Sequence, residues 1–433
     1  MKTIKKLFVL ALVFGLVLAF FTGCKKTKSE ADGGVSESAP ATIKWAIWDY
    51  DLTVYYKPLI DAYQAKNPQV KIETVDLGSA DYMTVLGTQL SGGADFDVVC
   101  VKDIPGYANL VRQNRLEPLN SYIKTKGIDT SLYGGTTEQI AVNGEVYALP
   151  FRSDFWLIFY NKDLFDAAGV PYPSNDITLD EYDALARRVT RGSGANKTYG
   201  AHYHTWRSAV SLFGILDGKN TIVDGKYDFL APYYERIIKE QNDGIVQSYA
   251  ALKTSGTHYS GAFFNNQIAM LNMGTWFIAT QIDKVKTGES LSKNWGLAKY
   301  PHPEGIPAGT TLGTITSIAV NRNSTKKDAA LDFMQFVSGP EGAAILAKLG
   351  TIPAIMNQEV IDAIASTPGF PGDPGSKEAL QVYKTYLEMP LHEKSADIEI
   401  VLNEAHDAIM TGNSTIAQGI KEMNDRVGTI LGK

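Results

Sequence analysis

The segment 42–76, TIKWAIWDYDLTVYYKPLIDAYQAKNPQVKIETVD, carries the pattern that decides the fold. Ile43 to Trp48 reads as a strand, and behind it Tyr56, Leu59, Ile60 and Tyr63 recur at helical spacing. Asn67-Pro68 stops that helix, because the residue before proline is driven out of the α region. Val70 to Val75 is the next strand, with Ile72 and Thr74 alternating against charged neighbours. The cycle then repeats: Tyr82 to Leu90 is helical, and Phe96 to Val101 is a short, almost wholly apolar strand. Such a strand belongs inside a parallel sheet covered on both faces. Strands alternating with helices predict an α/β fold built from βαβ units.

Further along, strands are expected at Phe155–Tyr160, Ile268–Met273, Trp295–Ala298 and Ile315–Val320. Helical spacing marks Leu164–Ala168 and Leu179–Thr190. The end reads as helical at Lys326–Val337, Glu341–Leu349, Lys377–Leu387, Ile398–Met410 and Thr415–Val427. A Pro/Gly cluster at 367–375, TPGFPGDPG, interrupts this last region and marks a late connection.

The N-terminus has a different character. Lys2, Lys5 and Lys6 precede the uncharged apolar run Leu7–Phe21, and Phe21-Thr22-Gly23-Cys24 follows. That order is expected of a signal peptide. As a helix the run would reach roughly 22 Å, short of the ~30 Å hydrocarbon core. The pattern resembles a bacterial lipobox, with Phe21 where leucine is usual, and the resemblance implies cleavage after residue 23 and acylation of Cys24. Residues 24–41 are polar and Gly/Ser-rich, a flexible tether.

Loss of residues 1–23 removes three lysines and no acids, so the formal charge moves from −6 to −9. An acidic chain without a basic stripe argues against nucleic acid as a partner. Only Cys100 then remains beside Cys24, so no internal disulfide is available, and its apolar surroundings predict a small buried hydrophobe.

Several phrases, in order, resemble the extracellular solute-binding proteins of ABC importers, in the sugar-binding group that includes the maltose-binding protein. Asn143-Gly144-Glu145-Val146-Tyr147-Ala148-Leu149-Pro150, leading into Ile158-Phe159-Tyr160-Asn161-Lys162-Asp163-Leu164-Phe165, is similar to the family's lobe-crossing segment. Ile268 to Trp276 (IAMLNMGTW), Leu312 to Val320 with Pro340-Glu341-Gly342, and Asn67-Pro68 before Val70-Lys71-Ile72 match other family phrases. The resemblance implies a two-lobed periplasmic-binding-protein fold of type II, hinged between α/β lobes. Crossings are then expected near Ser153–Ile158, Thr310–Thr314 and Gly369–Gly375. One lobe takes 42–153 with 314–368, and the other 157–309 with 376–433. The implied function is capture of a sugar or similar polyol in the interlobe cleft by a monomer, and delivery to membrane permease subunits. No cofactor or metal is implied. A sensor subunit would make the same capture step.

A sugar presents hydroxyls, which suit carboxylates and amides, and flat C–H faces, which suit aromatic rings. Loops at the carboxyl ends of strands face the crevice in an α/β lobe, which selects Trp48 and Asp49 (with Asp51 as the alternative register) and Asp103. Each Asp could equally be a helix cap or turn residue. The resemblance places Asp103 and Asp154 at ligand-contacting carboxylates. Arg152, two residues before Asp154, reaches a ligand or pairs with that Asp to stiffen the hinge. Trp276 stands at the family's stacking position, with a core tryptophan as the alternative, and Trp206 is a second platform. Trp45 and Trp295, inside strands, are assigned to the core. No aromatic residue occupies 398 or 399, where the family often has one.

Enzyme signatures are absent: there is no G-x-S-x-G, no H-E-x-x-H and no cysteine pair at metal spacing. His202 and His204 lack an adjacent third ligand. Asp103 and Asp154 in one cleft leave glycoside hydrolysis as the alternative activity.

Overall fold

A single long strand organises the sheet. The computed structural model describes residues 41–433. The expected leader, Cys24 and nearly all of the tether lie outside the described residues; Ala41, at the tether's end, already belongs to the first strand. In chain order the strands are β1 (Ala41–Ile47), β2 (Val70–Asp76), β3 (Val98–Val101), β4 (Leu149–Asn161), β5 (Tyr199–His202), β6 (Ile268–Gly274), β7 (Trp295–Lys299), β8 (Thr310–Val320) and β9 (Lys384–Leu387). They run β2-β1-β3-β8-β4-β6-β5, with β7 also on β4 and β9 also on β8. β1 pairs in parallel with β2 and β3, and β5 with β6, whereas β8 and β4 are antiparallel to their main neighbours. The architecture is mixed α/β, as the alternating pattern predicts.

β4 pairs with β8 as far as Phe155 and then, from Trp156, lies between β6 and β7. One continuous backbone therefore serves two half-sheets. Val142 and Glu145 exchange both backbone hydrogen bonds around Asn143 and Gly144, at φ 53° and 79°. The two left-handed residues make this the tight turn that Asn-Gly favours, and it leads the chain toward β4.

The change of partner is pinned by a buried polar network. Arg152 donates to the Asp154 carboxylate through Nε (3.2 Å) and Nη2 (2.6 Å), and to the Tyr55 hydroxyl through Nη1 (2.6 Å). The other Asp154 oxygen accepts from Thr275 Oγ1 at 2.8 Å, and Asp154 has no exposed surface. Thr275 N–H in turn donates to the Phe155 carbonyl. The network thus ties Tyr55, beside the first half-sheet, to Thr275, at the end of β6.

The expected core residues are where the pattern placed them. Trp45 is fully buried and meets Tyr56 and Phe333 edge-on, Trp295 is 4% exposed, and Cys100 is buried, its thiol pushed up to about 12 by desolvation.

The helix expected at Lys377–Leu387 does not form. A short helix, Pro374–Glu378, is followed by β9, whose parallel pairing on Thr310–Gly313 captures the chain. Tyr383 N–H donates to the Gly309 carbonyl, and the Tyr386 ring packs where a Cβ on Gly218 would stand. An available sheet edge overrides local helix preference here. Strand β5 and the helices Ala231–Asn242 and Phe277–Thr287 have no counterpart in the sequence reading.

Glu240, on the helix Ala231–Asn242, is fully buried and carries a titration of its own. It faces Asp183 and Tyr203, with Tyr182 and Arg236 nearby; burial first, then the Asp183 contact, pushes its carboxyl up to about 8. The folded chain keeps this proton where the unfolded chain has released it, so stability falls as pH rises from about 4.5 to about 8. Glu240→Gln removes that titration. Thermal melts should show it more stable than the parent at pH 8, by on the order of 2 kcal/mol, with the difference vanishing near pH 4. At the crossing, Asp154→Ala strands a buried guanidinium and should lower the unfolding free energy by about 3–5 kcal/mol in urea titrations. Thr275→Val, which removes the hydroxyl that donates to Asp154 and accepts from the Phe155 N–H, should cost about 1–3 kcal/mol.

Candidate functional site

Two loops at the carboxyl ends of β1 and β3 supply one wall of the site. The chain turns after β1 through Asp49, at φ 49°, and the Asp76 carboxylate accepts from the Asp49 N–H (3.1 Å) and the Tyr50 N–H (2.8 Å). This fixes the loop and leaves the Asp49 side chain without a capping role in the short helix that follows. Trp48 is largely buried against Tyr82, with the Lys102 ammonium 5.5 Å from its ring centre. Lys102 Nζ donates to the Ser79 carbonyl at 2.6 Å. Asp103 caps the helix Ile104–Arg112, its Oδ1 accepting from Gly106 N–H at 2.7 Å. Burial raises its carboxyl, the Gly106 hydrogen bond opposes this, and the charge of Glu399 raises it further.

The opposite wall is aromatic. Trp206 is 39% exposed, Trp276 is half-buried and Trp156 is 2% exposed. Their ring centres lie 5.6 Å (Trp156–Trp276), 6.3 Å (Trp206–Trp276) and 6.4 Å (Trp156–Trp206) apart. Tyr259 packs on Trp206 at 5.5 Å, and His204 at 4.5 Å. Glycine at 274 is required, because a Cβ there would stand 2.0 Å from the Trp276 ring. Trp156 meets both of the other indoles edge to face, while Trp206 and Trp276 are tilted against each other, and such contacts hold the rings in orientation.

Carboxylates border this floor. Trp156 Nε1 donates to Glu388 Oε2 at 3.3 Å. Arg207, 4% exposed, holds Glu399 with two hydrogen bonds from Nη2 (3.0 and 2.9 Å), and its Nη1 donates to Ser211. Desolvation raises the Glu388 carboxyl; Arg207 opposes this, and Glu399 adds to it.

The two walls face each other. The charge of Asp49 acts on His258 and Tyr259, and that of Glu399 on Asp103. Arg112 lies 3.8 Å from Asp397, joining the helix Ile104–Arg112 to the helix Ser395–Met410. Of the residues selected from sequence, Asp49 and Asp103 stand on one wall and Trp206 and Trp276 on the other. Trp48 lies beneath Lys102, while Arg152 and Asp154 lie below, engaged with each other. Sequence reasoning did not select Trp156, Tyr259, Glu388 or the Arg207–Glu399 pair. Trp156 is the one with a legible signal, two residues beyond Asp154 on the crossing strand. At 399 a carboxylate stands where an aromatic ring was sought.

His202 and His204 gain no third ligand from the described residues. His202 and His204 are buried, and desolvation pushes them down to about 4 and about 3. Among the described residues no group of three or more His, Cys, Asp or Glu is placed to hold a metal ion.

Comparison with known proteins identifies the family. Residues 51–344 match the model of the bacterial extracellular solute-binding protein family. A sugar transporter protein from Rhizobium etli, solved in an open conformation, is 58% identical, with a TM-score of 0.78 over 89% of this chain and 98% of that one. A lactose-binding protein of Rhizobium radiobacter is 22% identical over 86% of this chain and 87% of its own length. The sn-glycerol-3-phosphate-binding periplasmic protein of Escherichia coli is 21% identical over 89% of this chain and 91% of its own. With a family match over most of the folded chain and a two-lobed relative at 58% identity, the chain belongs to the bacterial extracellular solute-binding proteins.

Proposed function

We propose that this protein captures a sugar or similar polyol reversibly between its two walls and delivers it to the permease subunits of an ABC transporter. The observation that carries the reading is the cleft itself, with a tryptophan floor opposite loops bearing Asp49 and Asp103 and bordered by Glu388 and Glu399. Rings cover the C–H faces of a sugar, and carboxylates accept from its hydroxyls. The names of the Rhizobium relatives, a sugar transporter and a lactose-binding protein, support the same class.

In this reading the lobes are 42–153 with 314–368, and 157–309 with 376–433. The partner change of β4 at Phe155–Trp156 supports the first boundary. Closure is favoured to the extent that ligand binds the closed arrangement better than the open one. A monomer suffices for capture.

No described helix is long and apolar enough to cross a membrane. Retention at the surface is assigned to lipid on Cys24, with residues 25–40 as the tether.

Capture proceeds without chemistry. A hydrolytic role for Asp103 and Asp154 requires one acid free to exchange a proton, whereas both Asp154 oxygens accept hydrogen bonds in a site closed to solvent.

Trp206→Ala should weaken the affinity for the bound sugar about 10- to 100-fold by calorimetry, and the exposed position should leave the melting temperature nearly unchanged. Purified protein incubated with oligosaccharides should release no new reducing ends; their appearance would establish the hydrolase instead.

A further inference from the structure

The charge left over in the cleft points to the ligand's own charge. Two of its cations are already committed: Arg152 to Asp154 and Tyr55, and Arg207 to Glu399 and Ser211. Among the described residues, Asp49, Asp103 and Glu388 make no ion pair within 4 Å. Glu388 receives the neutral indole N–H of Trp156, and Asp103 a backbone N–H. Against these three carboxylates stands one uncommitted cation, Lys102, bound to a backbone carbonyl and seated over Trp48.

Two helix N-termini at the cleft are already matched to protein carboxylates. The end of the helix Ile104–Arg112 is capped by Asp103 itself. The helix Ser208–Ile215 begins at Ser208, which already interacts with Glu388. Of these two ends, one is capped by a protein carboxylate and the other lies beside one, so neither is free for an anion.

We infer, resting on the sugar-capture reading, that the cleft selects uncharged sugars and polyols and rejects their phosphorylated and carboxylated counterparts. An anionic group brought beside Asp103 and Glu388 meets like charge at reduced dielectric, and the cleft guanidiniums among the described residues, Arg152 and Arg207, already hold protein carboxylates. A hydroxyl at the same place donates to those carboxylates. Rejection is thus built from repulsion as well as from fit, which is how specificity between close analogues is obtained. The inference separates this chain from its relative named for sn-glycerol-3-phosphate.

The test is calorimetry on the purified protein with matched probes: lactose, maltose, glucose, mannose, mannitol and glycerol against glucose 6-phosphate, glucuronate and glycerol 3-phosphate. The expected result is binding of at least one uncharged probe, with every acidic probe at least about 30-fold weaker, a difference of about 2 kcal/mol. Glu388→Gln and, independently, Asp103→Asn keep an acceptor in place and remove one charge. Each should narrow the gap between an uncharged probe and its acidic counterpart by about threefold or more. An acidic probe that binds as tightly as its uncharged counterpart overturns the inference while sparing the sugar reading. An unchanged gap in both folded variants also overturns it, because rejection would then be a matter of shape. If no probe of either kind binds, the sugar reading falls and the inference with it.

Discussion

The guanidinium of Arg152 has nowhere else to go. It is held by the Asp154 carboxylate and the Tyr55 hydroxyl, and Asp154 reaches on to Thr275 at the end of β6. A buried ion pair is weak evidence for stability, because desolvation offsets much of the attraction. Its value here is geometric: it fixes where β4 stops pairing with β8 and begins to pair with β6 and β7. Trp156 follows at once and is thereby aimed at the floor of the cleft. Thr275 is followed just as closely by Trp276. The polar network is therefore the footing on which two of the three floor tryptophans stand.

This footing bears on the proposed capture cycle. Rings that brace one another edge to face need little reordering when a sugar arrives, so less of the binding energy is lost to immobilising side chains. In the proposed cycle the moving parts are the two walls, which already touch where Arg112 meets Asp397. In that cycle the charge of Glu399, partly met by Arg207, acts on Asp103 as the walls approach, and the hydroxyls of a ligand would supply donors between them. An empty cleft has no such relief, which biases closure toward the loaded state.

Much of the fold was legible from residue spacing alone. Strand β2 and the helices around it follow from periods of two and about 3.6, and β3 from an unbroken apolar run that is buried on both faces. The segment ending at Leu387 was illegible, since its strand exists only by pairing with the edge of β8, a contact far away in sequence. Arg152 and Asp154, two apart on a strand, share a face, so their pairing was one of two open readings from the start. Glu388 and Glu399 could not be chosen beforehand. A glutamate in a late segment reads as one more solvent-facing charge until the fold brings it beside Trp156 or Arg207. Trp156 stood two residues beyond Asp154 on the crossing strand, a signal that its apolar neighbours masked.

The central claim is that one intact, uncharged sugar is held between these walls and released unaltered. Native mass spectrometry of the purified protein with an equimolar mixture of uncharged sugars and polyols tests it most directly. The account predicts a single added mass per protein chain, equal to that of one unmodified member of the mixture and recovered at that mass on denaturation. No adduct at saturating concentrations, or recovery of a cleaved product, would contradict it.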